Sequence, residues 1–221
     1  KIPLVKNMSV EEIVSLYPLQ PIAAAVLPEL CRRFAQNDRT LFSFLCSGDP
    51  LALPQYLRNQ DIGNRLPFVG LDYLYDYFFS VSTTAYINRP EAQRWIEIQD
   101  IINQSHTKTP IQQAILKAIG VLNLIAGPLG LPAKKNILQA ALIGPLGIDH
   151  ETLEKEIAEL SHDKALIYRD YAQEYRLWEG SDFDIVGAIW KKRSSLATKR
   201  LEDTLQVYCP LVPITASRHS Y

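Results

Sequence analysis

Thr109-Pro110-Ile111-Gln112 constrains this chain more than any other stretch. A threonine there accepts from the amide three residues on, and a glutamine at that third position returns the bond. Proline at the first helical position brings a preset φ and no amide to leave orphaned. A helix therefore starts here. Ile111, Ile115, Leu116, Ile119, Leu122 and Ile125 recur at helical spacing until Gly127-Pro128 is expected to end it. A second helix over 134–142 is closed by Gly144-Pro145. Asp149 caps a third that runs to about residue 163, with Leu153, Ile157 and Leu160 inward. Two short strand patterns follow, 165–169 and 174–178, joined by a tight connection over 170–173.

Three helices and then a β-hairpin is the order of a winged helix. DNA-reading members lay the third helix in the major groove and set the hairpin on phosphate or in the minor groove. Their affinity depends on lysine and arginine displacing counterions. Here the third helix carries Glu151, Glu154, Glu156, Glu159 and Asp163 against Lys155 and Lys164. The hairpin adds Asp170 and Glu174, with Arg169 and Arg176 at its base. That sign is wrong for a polyanion, so the stretch reads as a winged helix that contacts protein. A solvated acidic face on a structural module is the reading the residues leave open beside it.

The residues before this unit read as short, closely packed helices. Ser9-Val10-Glu11-Glu12 has capping-box spacing and starts a helix that ends near Leu16. Pro18 and Pro21 interrupt the chain before a helix over 22–35 that is kinked at Pro28. Asn37 and Asp38 cap a helix over 39–46, and Ser47-Gly48-Asp49-Pro50 is a turn. A loop with Asp61, Gly63, Asn64 and Pro67 leads to an aromatic run over 71–79. Asn88 and Pro90 open a helix with Trp95, Ile98 and Ile102 on one face. After the hairpin, Ser181-Asp182-Phe183-Asp184 caps a long last helix over 183–207, and proline-punctuated coil follows. The expected fold is mainly α. A helical, lid-like region (1–108) precedes a winged helix (109–180) and a C-terminal helix with its tail (181–221).

Net charge is −1, which removes a chain-wide basic field for nucleic acid or anionic lipid. With 47% hydrophobic and 21% charged residues the chain has the composition of a folded domain. Cys31, Cys46 and Cys209 are odd in number and widely spaced, which fits reduced thiols in a cytoplasmic protein rather than a disulfide framework. The most apolar stretch, 111–131, is interrupted by Gln112, Gln113, Lys117 and Asn123, so no membrane span is expected. The chain begins at Lys1 rather than Met, as expected of a domain excised from a longer protein or of a mature terminus.

No residue set stands out as able to run chemistry. The phosphate-cradling G-x-x-x-x-G-K-[ST] loop is absent, as is any nucleophile elbow. His106, His150, His162 and His219 share no metal-ligand spacing with each other or with the cysteines, so no metal site is expected. The best basic patch is Lys191, Lys192, Arg193, Lys199 and Arg200 on the last helix, which reads as a nucleic-acid contact or as the solvated face of an amphipathic helix. Lys134 and Lys135 open the second helix of the winged unit. Arg32, Arg33 and Arg39 lie in an otherwise apolar stretch, as ion-pair anchors or as cations reaching for phosphate. The aromatics of 71–79 read as packing rather than a base-stacking platform.

Three segments resemble large bacterial P-loop ATPases of antiphage and BREX-like systems. Residues 17–45 are similar to a stretch in which "YPLHP" precedes "RRFxQNxRxLFSFL". Leu71-Asp72-Tyr73-Leu74-Tyr75-Asp76-Tyr77-Phe78 is similar to their "LxxLYDYF", and 175–184 resembles the chain leaving the wing. Gln20 stands where that pattern has histidine, so no imidazole role carries over. The resemblance implies a position after the nucleotide-binding core of an AAA+ or STAND-type ATPase. The first helices would be its lid, and the winged helix would follow. By position, it makes Pro18 a neighbour of adenine, and Arg32, Arg33 or Arg39 a sensor of the γ-phosphate. ATP and magnesium would be held by the parent's N-terminal core. The chain itself would carry no cofactor and no catalytic residue, only a report of nucleotide state to a protein partner. A free-standing winged-helix DNA-binding regulator and a purely structural scaffold are the alternatives. Nucleic acid is the less favoured partner, and a membrane is not expected.

Overall fold

The computed structural model describes residues 8–34, 40–60, 66–79 and 90–178. Within them the chain is mainly helical and ends in one antiparallel hairpin. The elements are α1 (Val10–Ser15), α2 (Pro21–Phe34), α3 (Leu41–Cys46), α4 (Leu53–Arg58), α5 (Leu71–Phe79), α6 (Pro90–Gln104), α7 (Pro110–Leu129), α8 (Lys135–Leu146), α9 (His150–His162), β1 (Leu166–Arg169) and β2 (Glu174–Leu177). The last helix expected over 183–207 lies outside the described residues, as do Arg39, Lys191, Lys192, Arg193, Lys199 and Arg200.

The local caps form as their spacing requires. Thr109 and Gln112 close a reciprocal capping box on α7, Ser9 and Glu12 do the same on α1, and the Asp149 carboxylate accepts from the Thr152 amide to start α9. The cap of α3 falls on Thr40. Both Gly-Pro stops are overrun. α7 continues through Gly127-Pro128 to Leu129, and Gly130 ends it in the left-handed region (φ 59°). α8 continues through Gly144-Pro145 to Leu146 and ends on Gly147 (φ 66°). A proline near a helix C-terminus removes one amide bond to the carbonyl four residues back, and the turn survives if that carbonyl is satisfied otherwise. For Pro128 that carbonyl is Leu124, and Arg33 Nη1 donates to it at 2.7 Å.

Among the described residues α7 is the central helix. It packs against α2, α5 and α6 as well as α8, α9 and β2. Ile115, Leu116, Ala118, Ile119, Val121, Leu122 and Ile125 are fully buried, the pattern of a helix enclosed on all sides. One buried cluster runs from Ile22 in α2 to Leu177 in β2, so the core is continuous across residue 108. Gly120 is the point of closest approach: a Cβ there would stand 2.8 Å from Ile98 Cγ2 and 3.3 Å from Leu177 Cδ1.

The polar side chains that interrupt α7 each reach a different neighbour. Gln112 Nε2 donates to Glu159 of α9 (3.1 Å), and Lys117 pairs with Asp76 of α5 (2.7 Å). Asn123 Nδ2 donates to the Tyr175 carbonyl (3.1 Å), while its Oδ1 accepts from the Leu177 amide (3.2 Å). Asn123 thus completes the free edge of β2 as a neighbouring strand would. The hairpin register pairs Leu166 with Leu177, buried on the core, and Tyr168 with Tyr175 farther out on the same face. Their rings lie 4.9 Å apart.

Candidate interaction surface

α9 turns Leu153, Ile157 and Leu160 inward, which sets Glu151, Glu154, Lys155, Glu159, His162 and Asp163 on the exposed side. Three of the cations near this face are engaged. Lys135 Nζ meets Glu154 at 2.7 Å, Lys155 lies 3.9 Å from Glu159, and Lys108 pairs with Asp163. The Thr152 bonds hold the Asp149 carboxyl below its ordinary range, and the Lys108 bond does the same for Asp163. The surface is therefore acidic and internally paired. Glu151 adds a carboxylate at the start of the helix. In the hairpin, Arg176 Nε bonds Glu174 at 2.8 Å, so one of its basal arginines is also engaged.

Lys134 and Lys135 do come together with the hairpin. They line a cleft of about 270 Å³ with Asn136, Gln139, Tyr168 and Gln173. Lys134 is the N-cap residue of α8 and gives it no side-chain cap. The sequence marks the two lysines as a basic pair but not that Glu154, from another helix, takes up Lys135.

The lid-like candidates sit apart. Pro18 lies before α2, after a cis Tyr17–Pro18 peptide, and its carbonyl accepts from the Val69 amide at 2.9 Å. Arg32 and Arg33 are on the last turn of α2. The 14 residues of α2 span about 21 Å, so Pro18 and these arginines occupy opposite ends of one rod. Both arginines bind Glu29: Arg32 through Nε at 2.9 Å and Nη2 at 2.7 Å, Arg33 through Nε at 2.6 Å. The hydrogen bond from Arg32, then that from Arg33, brings the Glu29 carboxyl down to about 2 although partial burial opposes it. Arg32 is 66% exposed and Arg33 20%, with Arg33 also on the Leu124 carbonyl.

Gln20 has a structural task of its own. Its Oε1 accepts from the amides of Ile22 (2.7 Å) and Ala23 (3.0 Å), capping α2, and its Nε2 donates to Ala140 of α8 (2.7 Å). A second cleft, about 330 Å³, opens between α5, α6 and α7 around the Asp76–Lys117 pair, with Gln99, Asn103, His106 and Gln113 on its walls. Nothing local in the sequence marks it, since its residues come from three helices and the turn between α6 and α7. The aromatics Tyr75, Tyr77, Phe78 and Phe79 of α5 are buried, and burial raises the Tyr75 hydroxyl above its ordinary range. Among the described residues no cluster of histidine, cysteine and carboxylate could hold a metal ion, and no helix is long and apolar enough to cross a membrane.

No known protein family matches this chain, and neither a curated protein nor a solved structure does.

Proposed function

We propose that residues 109–178 are a winged helix that grips protein, within a non-catalytic regulatory module of a larger bacterial ATP-binding protein. In this reading α1–α4 belong to a lid that closes on nucleotide held by the parent's N-terminal core. Pro18 and one of Arg32, Arg33 and Arg39 report the bound nucleotide. Closure carries the winged helix along as a rigid body toward its protein partner.

The observation that carries the reading is the pairing of charge around α9. Duplex binding needs lysine and arginine free to replace counterions. Here Lys108, Lys135 and Lys155 are each bound to a carboxylate on or beside α9. A basic protein surface, by contrast, meets Glu151, Glu154, Glu159 and Asp163 with the right sign. The lid part of the reading is supported by α7, which touches α2 on one side and α9 and β2 on another, so a displacement of α2 reaches the wing through one packed helix.

Fluorescence anisotropy of a labelled duplex at low salt tests the partner class. The expected result is no saturable binding by the chain, and its appearance when Glu151, Glu154 and Glu159 are all changed to Lys. Tight duplex binding by the unaltered chain that weakens steeply with added salt would overturn the reading and favour the DNA-binding regulator.

A further inference from the structure

We infer that Arg33 and Asn123 form a latch that joins the C-terminal end of α2 to the β-hairpin through consecutive residues of α7. The latch starts from Pro128. It has no amide to give to the Leu124 carbonyl, which loses the partner that helical spacing would assign it beside a buried stretch of helix. Arg33 Nη1 supplies the missing donor at 2.7 Å, and Glu29 holds the other side of the same guanidinium at 2.6 Å. One residue earlier on α7, Asn123 binds both the carbonyl of Tyr175 and the amide of Leu177 in β2. Residues 123 and 124 project in different directions, so the helix is gripped from two sides at one level, by α2 and by the hairpin.

The consequence is directional. While Arg33 caps Leu124, the last turns of α7 are held in place and Asn123 meets β2 squarely. A group that competes for the guanidinium uncaps a carbonyl that the helix cannot satisfy alone, and the turn beside Asn123 loosens with it. In the lid reading above, that competitor is a nucleotide phosphate. This use of the latch rests on that reading, while the latch itself is testable in the chain without nucleotide or partner.

Amide hydrogen exchange on the full chain reads it directly, because the Leu177 amide reports the Asn123 bond. Arg33→Ala should speed exchange at Leu177 about tenfold, the scale of one lost charged hydrogen bond, while Ile119 in the middle of α7 changes by less than about twofold. Pro128→Ala restores an amide to Leu124. In that background Arg33→Ala should alter Leu177 exchange by less than about twofold. If Arg33→Ala does not fold by itself but folds with Pro128→Ala, that rescue also supports the latch. Equal acceleration at Leu177 and Ile119, the same Arg33→Ala effect in both backgrounds, or failure of the double variant to fold overturns it. A working latch in a chain whose α9 binds duplex DNA would leave the latch standing and remove only its assigned use.

Discussion

The stretch from α5 to β2 and the stretch from α1 to α4 are built on different terms. In the first, three of the residues that interrupt the apolar pattern of α7 are matched by partners on other elements: Gln112 by Glu159, Lys117 by Asp76, Asn123 by β2. Trp95 stacks on Phe79 at 3.5 Å, and Phe79 on Tyr75 at 4.1 Å, so α5 and α6 lock through their rings. In the second, the helices apart from α2 are six residues long; α1 and α4 bury no residue fully and α3 buries only Phe44. Val10 and Val14 are 77% and 66% exposed, and Phe42 75%. The difference teaches where stability resides. Long-range packing holds the first stretch and reaches α2, where Ile22, Ala23, Val26, Leu27 and Leu30 are buried, while caps or a few inserted side chains hold α1, α3 and α4.

The largest test of that contrast sets Trp95→Ala against Phe42→Ala. Trp95 is fully buried, so its truncation should cost about 3–5 kcal/mol from lost transfer energy and a partly collapsed cavity. Phe42→Ala should stay within about 0.5 kcal/mol, as surface changes do. Urea unfolding midpoints of both variants measure the gap. Similar losses for the two would break the comparison.

Much of the α7–hairpin stretch was legible in the sequence because its signals are local. The capping box at Thr109, the cap at Asp149 and the strand patterns at 166–169 and 174–177 each act within four residues, and the structure places the start of α7, both ends of α9 and both strands within two residues of the expected bounds. The ends of α7 and α8 lie beyond what the sequence indicates, because Gly-Pro is a local stop and what overrides it in α7 comes from Arg33, 91 residues away. α4 went unread: Ala52 offers it no side-chain cap and six residues show no period. The run over 71–79 is a helix that its aromatic density masks in the sequence, although Asp72, Tyr73 and Asp76 fall on its less buried side. The acidic surface of α9 was legible as a charge pattern. The capture of Lys135 by Glu154 was not, since that pair exists only once α8 and α9 have packed. Of the two roles the sequence leaves open for Arg32 and Arg33, ion-pair anchor or phosphate cation, the structure shows the first, on Glu29, their i, i+3 and i, i+4 neighbour.

A smaller effect should come from pH, and it falls where the two stretches meet. The Glu29 carboxyl titrates near 2 in the fold against 4.5 for an ordinary glutamate, because Arg32 and Arg33 stabilise its charge. A carboxyl lowered on folding stabilises the fold fully above its unfolded value, and the contribution fades as pH falls from about 4.5 toward 2. Glu29→Gln should therefore lower the urea midpoint at pH 6, and the gap to the unaltered protein should narrow at pH 3. A gap that stays constant would mean the two arginines take no stability from this carboxylate, leaving the Arg33 bond to the Leu124 carbonyl and apolar contact to join α2 to α7.

The smallest expected effect lies at α1. Val10, Val14 and Tyr17 recur at helical spacing on a side that meets solvent, and the helix is secured instead by the Ser9–Glu12 box. Val10→Ser with Val14→Ser should then change stability by less than about 0.5 kcal/mol, whereas Ser9→Ala should cost about 1 kcal/mol of local helix stability by removing one of the two cap bonds. Hydrogen exchange over residues 10–16 separates the two variants, since loss of a cap frays the helix while loss of an exposed methyl does not. If the valine pair proves the costlier change, α1 is held by apolar burial like α7, and the distinction between the two stretches fails at its outermost element.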